Sequence, residues 1–388
     1  MRRMFALLLL LLAATPAAAR DRLTIGFLGL QNDSRYDDNR VYARIELRPR
    51  GDPLDGAKMA VEDMKIVSDA RGFDVNLDPR KGGDDAELLA AATDMVAKGQ
   101  RYIVLDLPDE RVQALATAME GQPVTLLNAT APAMALRTAC HANLLHTSAS
   151  DRMLADALVQ YLRQQDWTRI LMLVGKETRD ADIASTFRAA AERMRLTIVD
   201  QRSFDLSTAP ENRDKNNIRL LTGSRPDYDV VYLADSDGEF GRYVPYQTVL
   251  PRPVVGTTGL TPLEWHWSLE RYGAPQVNSR FELIAGQRRM AWQDWSVWAA
   301  TRAVITAAAK SRDQSPEGIL AYLKSDRFRL DGSKGVSQNF RPWNGQMRMP
   351  ILLATHNAII DIAPLDGFMH QTNTLDTLGT DKLEFACD

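Results

Sequence analysis

The chain has 388 residues, 45% of them apolar, which suits about two globular domains of ~100–200 residues each. It carries 47 Lys and Arg against 50 Asp and Glu. That balance lacks the basic face a general nucleic-acid binder needs for phosphates, so no nucleic-acid partner is expected.

Residues 1–19 read as an address rather than as part of the fold. Arg2 and Arg3 give a positive start, Met4 to Leu12 is an apolar run, and Ala17-Ala18-Ala19 is a small-residue cleavage site. The run is too short for a membrane span of ~20 residues. No Cys follows the cleavage site, so a lipid anchor is not expected. The twin-arginine form of leader is only faintly suggested by Arg2-Arg3-Met4-Phe5.

Beyond the leader, short apolar runs alternate with longer amphipathic stretches. Leu23 to Leu28 is the first run, and Pro53 to Val67 follows with helical spacing. Between them, Gln31 to Arg50 is polar and longer than a usual strand-to-helix loop. Asp84-Asp85-Ala86-Glu87 fits a capping box before Leu88 and Leu89, and Gly99 stops that helix. Tyr102 to Leu105 ends at Asp106, and Val124 to Leu127 ends at Asn128. Ser148-Ala149-Ser150-Asp151 has the capping form again, before apolar positions from Met153 to Leu162 that recur every three to four residues. Ile170 to Val174 ends at Gly175, Val230 to Leu233 runs on to Asp235, and Pro253 to Val255 ends at Gly256. Runs with little polar alternation suit strands buried on both faces, and helices between them imply parallel sheets with right-handed crossovers.

Cys140 and Cys387 are the only cysteines. In an exported chain they can form one disulfide, tying the last residues to the middle of the chain; two unrelated thiols are the alternative. Cys140, His141 and His146 match no standard zinc spacing.

The ordered series of motifs resembles the branched-chain amino acid type of periplasmic binding protein, the type I solute-binding fold. Gly51 to Asp63 is similar to that family's first helix, and Val124 to Pro132 to its stretch before the lobe crossover. Leu145 to Asp151 resembles the crossover, Asp166-Trp167-Thr168-Arg169-Ile170 the opening of the second lobe, and Asp331 to Pro350 the late return to that lobe. A narrower resemblance rests on the long first loop, Cys140 to His146 and the terminal Cys387. These look like the subgroup of receptors associated with PQQ-dependent alcohol dehydrogenase systems.

The resemblance implies an α/β protein of two Rossmann-like lobes with parallel sheets, joined by three crossovers. Residues 20–146 plus 258–330 would form the first lobe, and 147–257 plus 331–388 the second with the C-terminal tail. It also implies a periplasmic receptor that carries a small molecule to an ABC transporter permease, with a periplasmic dehydrogenase system as a further partner and no cofactor. A sensory or accessory protein using the same fold is the alternative function.

Parallel α/β sheets bind ligands beyond the carboxyl ends of their strands. The candidates there are Asp106, Asp109, Asn128 and Thr130 in the first lobe, and Lys176, Glu177, Asp235, Ser236 and Asp237 in the second. In the family, small hydroxyl residues after the third and fourth strands hold an amino acid's carboxylate. Asp106-Leu107-Pro108-Asp109 departs from that pattern, and a carboxylate there would repel the ligand's own. Acidic strand ends favour a cation or a hard metal ion held by Asp106, Asp109, Asp235 and Asp237, with Asp37 or Asp38 from the first loop. Helix capping would account for Asp109 instead, and capping or solvation for Asp235 and Asp237. Arg40, Arg44, Arg48 and Arg50 would serve an anion instead, or lie on a solvated loop. Lys176 does not belong to a phosphate loop, because Ile170 stands where its first glycine would be. Trp292, Trp295 and Trp298 recur on one helix near Trp265 and Trp267, as a core stripe or as a stacking wall for a planar ligand, with Trp295 the best placed for the cleft. No nucleophile elbow, zinc-protease helix or dinucleotide glycine pattern appears, so no catalysis is expected.

Overall fold

The computed structural model describes residues 20–36, 51–206, 214–223 and 225–387. The leader and Asp37, Asp38, Arg40, Arg44, Arg48 and Arg50 lie outside the described residues.

The first sheet uses the expected apolar runs. Its elements are β1 (Asp21–Leu30), α1 (Leu54–Arg71), β2 (Phe73–Gly82), α2 (Asp85–Ala97), β3 (Tyr102–Asp106), α3 (Asp109–Ala118), β4 (Thr125–Asn128), a one-turn α4 (Ala135–Thr138) and β5 (Leu144–His146). The strands lie parallel in the order β2-β1-β3-β4-β5. Every residue of β3, β4 and β5 is buried, which explains their unbroken apolar sequences. Asp84 accepts the Glu87 N–H at 2.9 Å, while the Glu87 carboxylate reaches back to the Gly83 N–H at 2.7 Å.

The second parallel sheet follows through α5 (Asp151–Gln164), β6 (Arg169–Val174), α6 (Thr178–Arg193), β7 (Thr197–Ser203), α7 (Ile218–Leu221), β8 (Val230–Ala234), α8 (Val244–Gln247) and β9 (Val254–Gly256), in the order β7-β6-β8-β9. The N-cap of α5 is Ser150, whose hydroxyl accepts the Met153 N–H at 3.2 Å. Ser148, the other hydroxyl of that capping motif, donates instead to the Ala131 carbonyl at 3.1 Å.

The chain then forms β10 (Thr261–Leu263) and returns to the first lobe as α9 (Ala274–Ile284), α10 (Trp292–Lys310) and α11 (Pro316–Leu323). Short antiparallel strands close it: β11 (Leu330–Asp331), β12 (Ser337–Phe340), β13 (Met347–Arg348), β14 (Ile351–Ala354) and β15 (Ile359–Ala363). β10 pairs with β14, and β14 with β15. The stretch after 257, expected to open the late part of the first lobe, is hydrogen-bonded at Leu260 to Val254 and Gly256 and then, as β10, to the C-terminal segment. Two parallel sheets with their helices, joined by three crossing segments, give the expected type I periplasmic binding protein fold.

Helix α10 packs on α1 and α11 and against β3. It is buried from Asp294 to Ala309 except at Arg302. The contact with α1 is close because Gly56 stands there. A Cβ built on Gly56 would lie 2.2 Å from the Asp294 carbonyl oxygen and 3.2 Å from the Trp298 nitrogen, both rigid backbone atoms. Gly56→Ala is therefore expected to destabilise the protein by ~1–3 kcal/mol through overpacking, read as a lower urea midpoint at unchanged slope.

After β15, a 3₁₀ turn (Thr374–Thr377) leads to the C-terminal tail. Cys387 is disulfide-bonded to Cys140, with Cα atoms 5.5 Å apart. The expected covalent tie is present.

Candidate functional site

The carboxyl ends of both parallel sheets open on one cleft of about 1800 Å³, lined from both lobes. Thr130 follows β4 and Asp109 opens α3; Asp235 and Ser236 follow β8. All four line it.

Asp106, at the end of β3, is 4% exposed and is covered from the cleft side by Arg35 and Tyr36. Its carboxylate accepts the Thr130 hydroxyl at 2.8 Å, the Tyr36 hydroxyl at 2.8 Å and an Arg35 Nη2–H at 3.0 Å. Burial raises the Asp106 pKa, partly offset by Arg35 and the two hydroxyls. Asp106 is thus committed within the protein and is not among the residues that line the cleft.

Asn128 also belongs to the scaffold. It is fully buried, exchanges two hydrogen bonds with the backbone of Ala131 at 2.8 and 2.9 Å, and lies 3.0 Å from Nδ1 of His146. Burial keeps His146 well below its ordinary pKa, and hence neutral.

Asp109 does not cap α3 through its side chain; it accepts the Ala133 N–H at 2.8 Å and so braces the loop after β4. Burial raises its pKa. Across the cleft, Asp235 accepts the Gly241 N–H at 2.7 Å, and burial raises its pKa too. The Ser236 N–H donates to Asp180 at 2.6 Å. Asp237 lines a neighbouring crevice of about 590 Å³ together with Asp109, Glu110, Glu177 and Asp182. Lys176 points away, with its side chain 65% exposed and 3.7 Å from Asp205.

The carboxylates proposed for a hard metal ion are therefore not gathered around one point. Among the described residues no group of three or more His, Cys, Asp or Glu is placed to hold a metal. Three of the four have been drawn into different local structures: Asp106 to Arg35, Asp109 to Ala133, Asp235 to Gly241.

Two arginines of the cleft wall, Arg179 and Arg289, were not anticipated. Arg179, in the first turn of α6, forms a two-pronged ion pair with Asp151 at the start of α5 and lines the cleft. Strand-end reasoning stops at Lys176 and Glu177, just short of it. Arg289 lies 3.6 Å over the ring of Trp267, and both belong to the cleft wall with Trp265 and Trp292.

Trp295 requires a correction. It is fully buried in the core and donates to the Gly332 carbonyl at 3.1 Å. It stacks on Trp265 at 6.2 Å, and the Lys334 ammonium sits 3.6 Å from its ring centre. Its helix lies between α1 and α11, so positions one turn from the first residue face inward, and Trp292 at the helix start takes the cleft position.

The three crossing segments are tied to each other. Glu264, in the second, accepts the Ala149 N–H of the first at 2.9 Å. In the third, Gln346 donates to the Ser148 carbonyl at 2.9 Å, and the Gly345 carbonyl accepts the His146 N–H at 2.9 Å. Buried Lys334, also in the third, is lowered in pKa by desolvation, with Glu264 opposing the shift.

The protein is thus a two-lobed α/β molecule with its cleft between the strand ends, beside the three bridging segments. The family model described as periplasmic binding protein matches residues 51–236, which run from the first helix of one lobe to the end of β8 in the other. No curated protein matches the sequence at a significant level. Solved structures with the same fold include a branched-chain amino acid ABC transporter periplasmic ligand-binding protein from Burkholderia xenovorans LB400, 12% identical over 88% of this chain and 95% of the other, with a TM-score of 0.68. An ABC transporter substrate-binding protein from Desulfitobacterium hafniense in complex with Leu is 15% identical over 87% and 99%, with a TM-score of 0.67. A leucine-, isoleucine-, valine-, threonine- and alanine-binding protein from Brucella ovis in a closed conformation is 11% identical over 87% and 91%, with a TM-score of 0.68. At these identities the likeness establishes the fold.

Proposed function

We propose that the protein is a periplasmic receptor, exported through its leader, that closes on a small molecule and presents it to an ABC transporter permease. The observation that carries this reading is the large cleft lined from both lobes, with Thr130 and Asp109 on one side and Arg179, Asp235 and Ser236 on the other. A solute reaching both sides stabilises the closed arrangement by contacts the open one lacks. Arg35, Tyr36, Asp109, Thr130, Arg179, Asp235 and Ser236 are the side chains proposed to meet it, with Trp267 and Trp292 as the aromatic wall.

The resemblance of Cys140–His146 and Cys387 to receptors of PQQ-dependent alcohol dehydrogenase systems supports placing the protein beside such a system. A second reading, an accessory protein of a periplasmic dehydrogenase, draws on the filled strand ends at Asp106. A thermal-shift screen with leucine, PQQ, calcium and a lanthanide, combined with small-angle scattering, separates the two. A receptor is expected to show a saturable rise in melting temperature with one compound and a smaller radius of gyration with the same compound. Unchanged melting and scattering throughout, together with dehydrogenase genes adjacent and no permease or ATPase genes, would favour the accessory role.

A further inference from the structure

The segment that follows β1 turns back over the sheet in a defined way. Gln31 continues the sheet by donating to the Gly82 carbonyl at 3.0 Å, and Asn32 then adopts a left-handed φ of 55°. Asp33 accepts the Arg35 N–H at 2.9 Å, and its carbonyl accepts the Tyr36 N–H at 3.1 Å, forming a short 3₁₀ turn. This turn aims the Arg35 side chain at the ends of β3 and β4.

There the guanidinium is surrounded by acceptors. Nε faces both Asp33 carboxylate oxygens at 3.0 and 3.1 Å, and Nη2 meets Asp33 at 2.7 Å. Nη2 also meets the Asp106 carbonyl and carboxylate, each at 3.0 Å, and Nη1 meets the Thr130 hydroxyl at 3.1 Å. The Tyr36 ring lies 5.3 Å from the guanidinium carbon. Asp106 and Thr130 are 4% and 3% exposed with Arg35 and Tyr36 in place, so the guanidinium and its acceptors are shielded from water together. A planar fork of donors suits this set; an ammonium, a point charge with three donors, does not reproduce it.

We propose that the strand ends of the first lobe form a guanidinium subsite whose resident occupant is the chain's own Arg35, so that a solute is read by the outer faces of Arg35 and Tyr36 and not by Asp106. The part concerning the solute rests on the receptor reading; the guanidinium subsite does not. The arrangement places a positive group in front of the Asp106 carboxyl, with Asp33 as its second acidic partner. Asp106 alone would repel a solute carboxylate, whereas the Arg35 fork stands between them. A cationic solute could occupy the subsite only by displacing Arg35.

The test vacates the subsite and refills it. In Arg35→Ala, low-millimolar methylguanidinium is expected to raise the melting temperature saturably by a few degrees, while methylammonium at the same ionic strength leaves it unchanged. Wild-type protein should respond to neither, and Arg35→Ala combined with Asp106→Asn should lose the rescue. No selective rescue, or an equal response of the wild type, would overturn the proposal. An arginine-selective ¹⁵N spectrum of the wild type gives a readout independent of how Arg35→Ala folds. The Arg35 Nε–H, assigned by its disappearance in Arg35→Lys, is expected to exchange with water far more slowly than free arginine; exchange as fast as free arginine would also overturn it. A blank solute screen leaves the rescue experiment intact, and a failed rescue leaves the receptor reading intact.

Discussion

Replacing Asp376 with alanine is expected to lower the unfolding free energy by about 3–5 kcal/mol, among the largest effects of any single substitution outside the sheets. Asp376 is 3% exposed and holds two arginines at once. Its carboxylate lies 2.7 Å from Nε of Arg341, and 2.8 and 3.0 Å from Nε and Nη2 of Arg348. The Arg341 side chain is itself fully buried and donates onward to the Leu375 and Leu378 carbonyls at 3.0 and 2.6 Å. Without the carboxylate, two desolvated guanidiniums would face each other uncompensated. Burial alone would raise the Asp376 pKa, but Arg348 and Arg341 outweigh it and hold it below the ordinary carboxylate value. A depressed folded pKa means the contribution is complete above the unfolded value of ~3.9 and disappears as the pH falls through the lower, folded value. Urea unfolding at neutral pH should therefore separate Asp376→Ala widely from wild type, and the gap should narrow toward strong acid. A neutral-pH difference under 1 kcal/mol would show that the tail is not anchored here.

Breaking the disulfide is expected to cost about 2–5 kcal/mol, toward the upper end because the bond closes a long loop. Cys140 and Cys387 are 247 residues apart in sequence, so the link removes much of the freedom of the unfolded chain. It also secures a tail whose neighbouring ties reach the second lobe. The Gly379 N–H donates to Asp156 on α5 at 2.8 Å, and Glu384 pairs with Arg152. Cys140→Ser with Cys387→Ser should melt several degrees below wild type. Dithiothreitol should lower the wild type to the same point and leave the double variant unmoved. A wild type indifferent to the reductant under denaturing conditions would contradict the assignment.

The central strands were legible because burial on both faces leaves an unbroken apolar run, as in Tyr102–Leu105 and Ile170–Val174. The edge strands β2 and β7 were not read. Their sequences FDVNLDPRKG and TIVDQRS mix charged and apolar residues because much of each strand is only partly buried. The late two- to five-residue antiparallel strands carry too few positions for any period to emerge. At the site, the rule of strand ends found the right neighbourhood: Asp109, Thr130, Asp235 and Ser236 all line the cleft. It could not say which strand-end groups face inward. Asp106 and Asn128 have polar partners that come from elsewhere in the chain, Arg35 from 71 residues away and His146 from 18. Trp295 shows the same limit for periodicity, which gives a helix but not its neighbours on every side.

The bonds that join the three bridging segments bear on how the halves can swing. In the proposed closing, links sewn together by Ala149–Glu264 and Ser148–Gln346 are expected to bend jointly, as the spine of a book does, rather than as three loose threads.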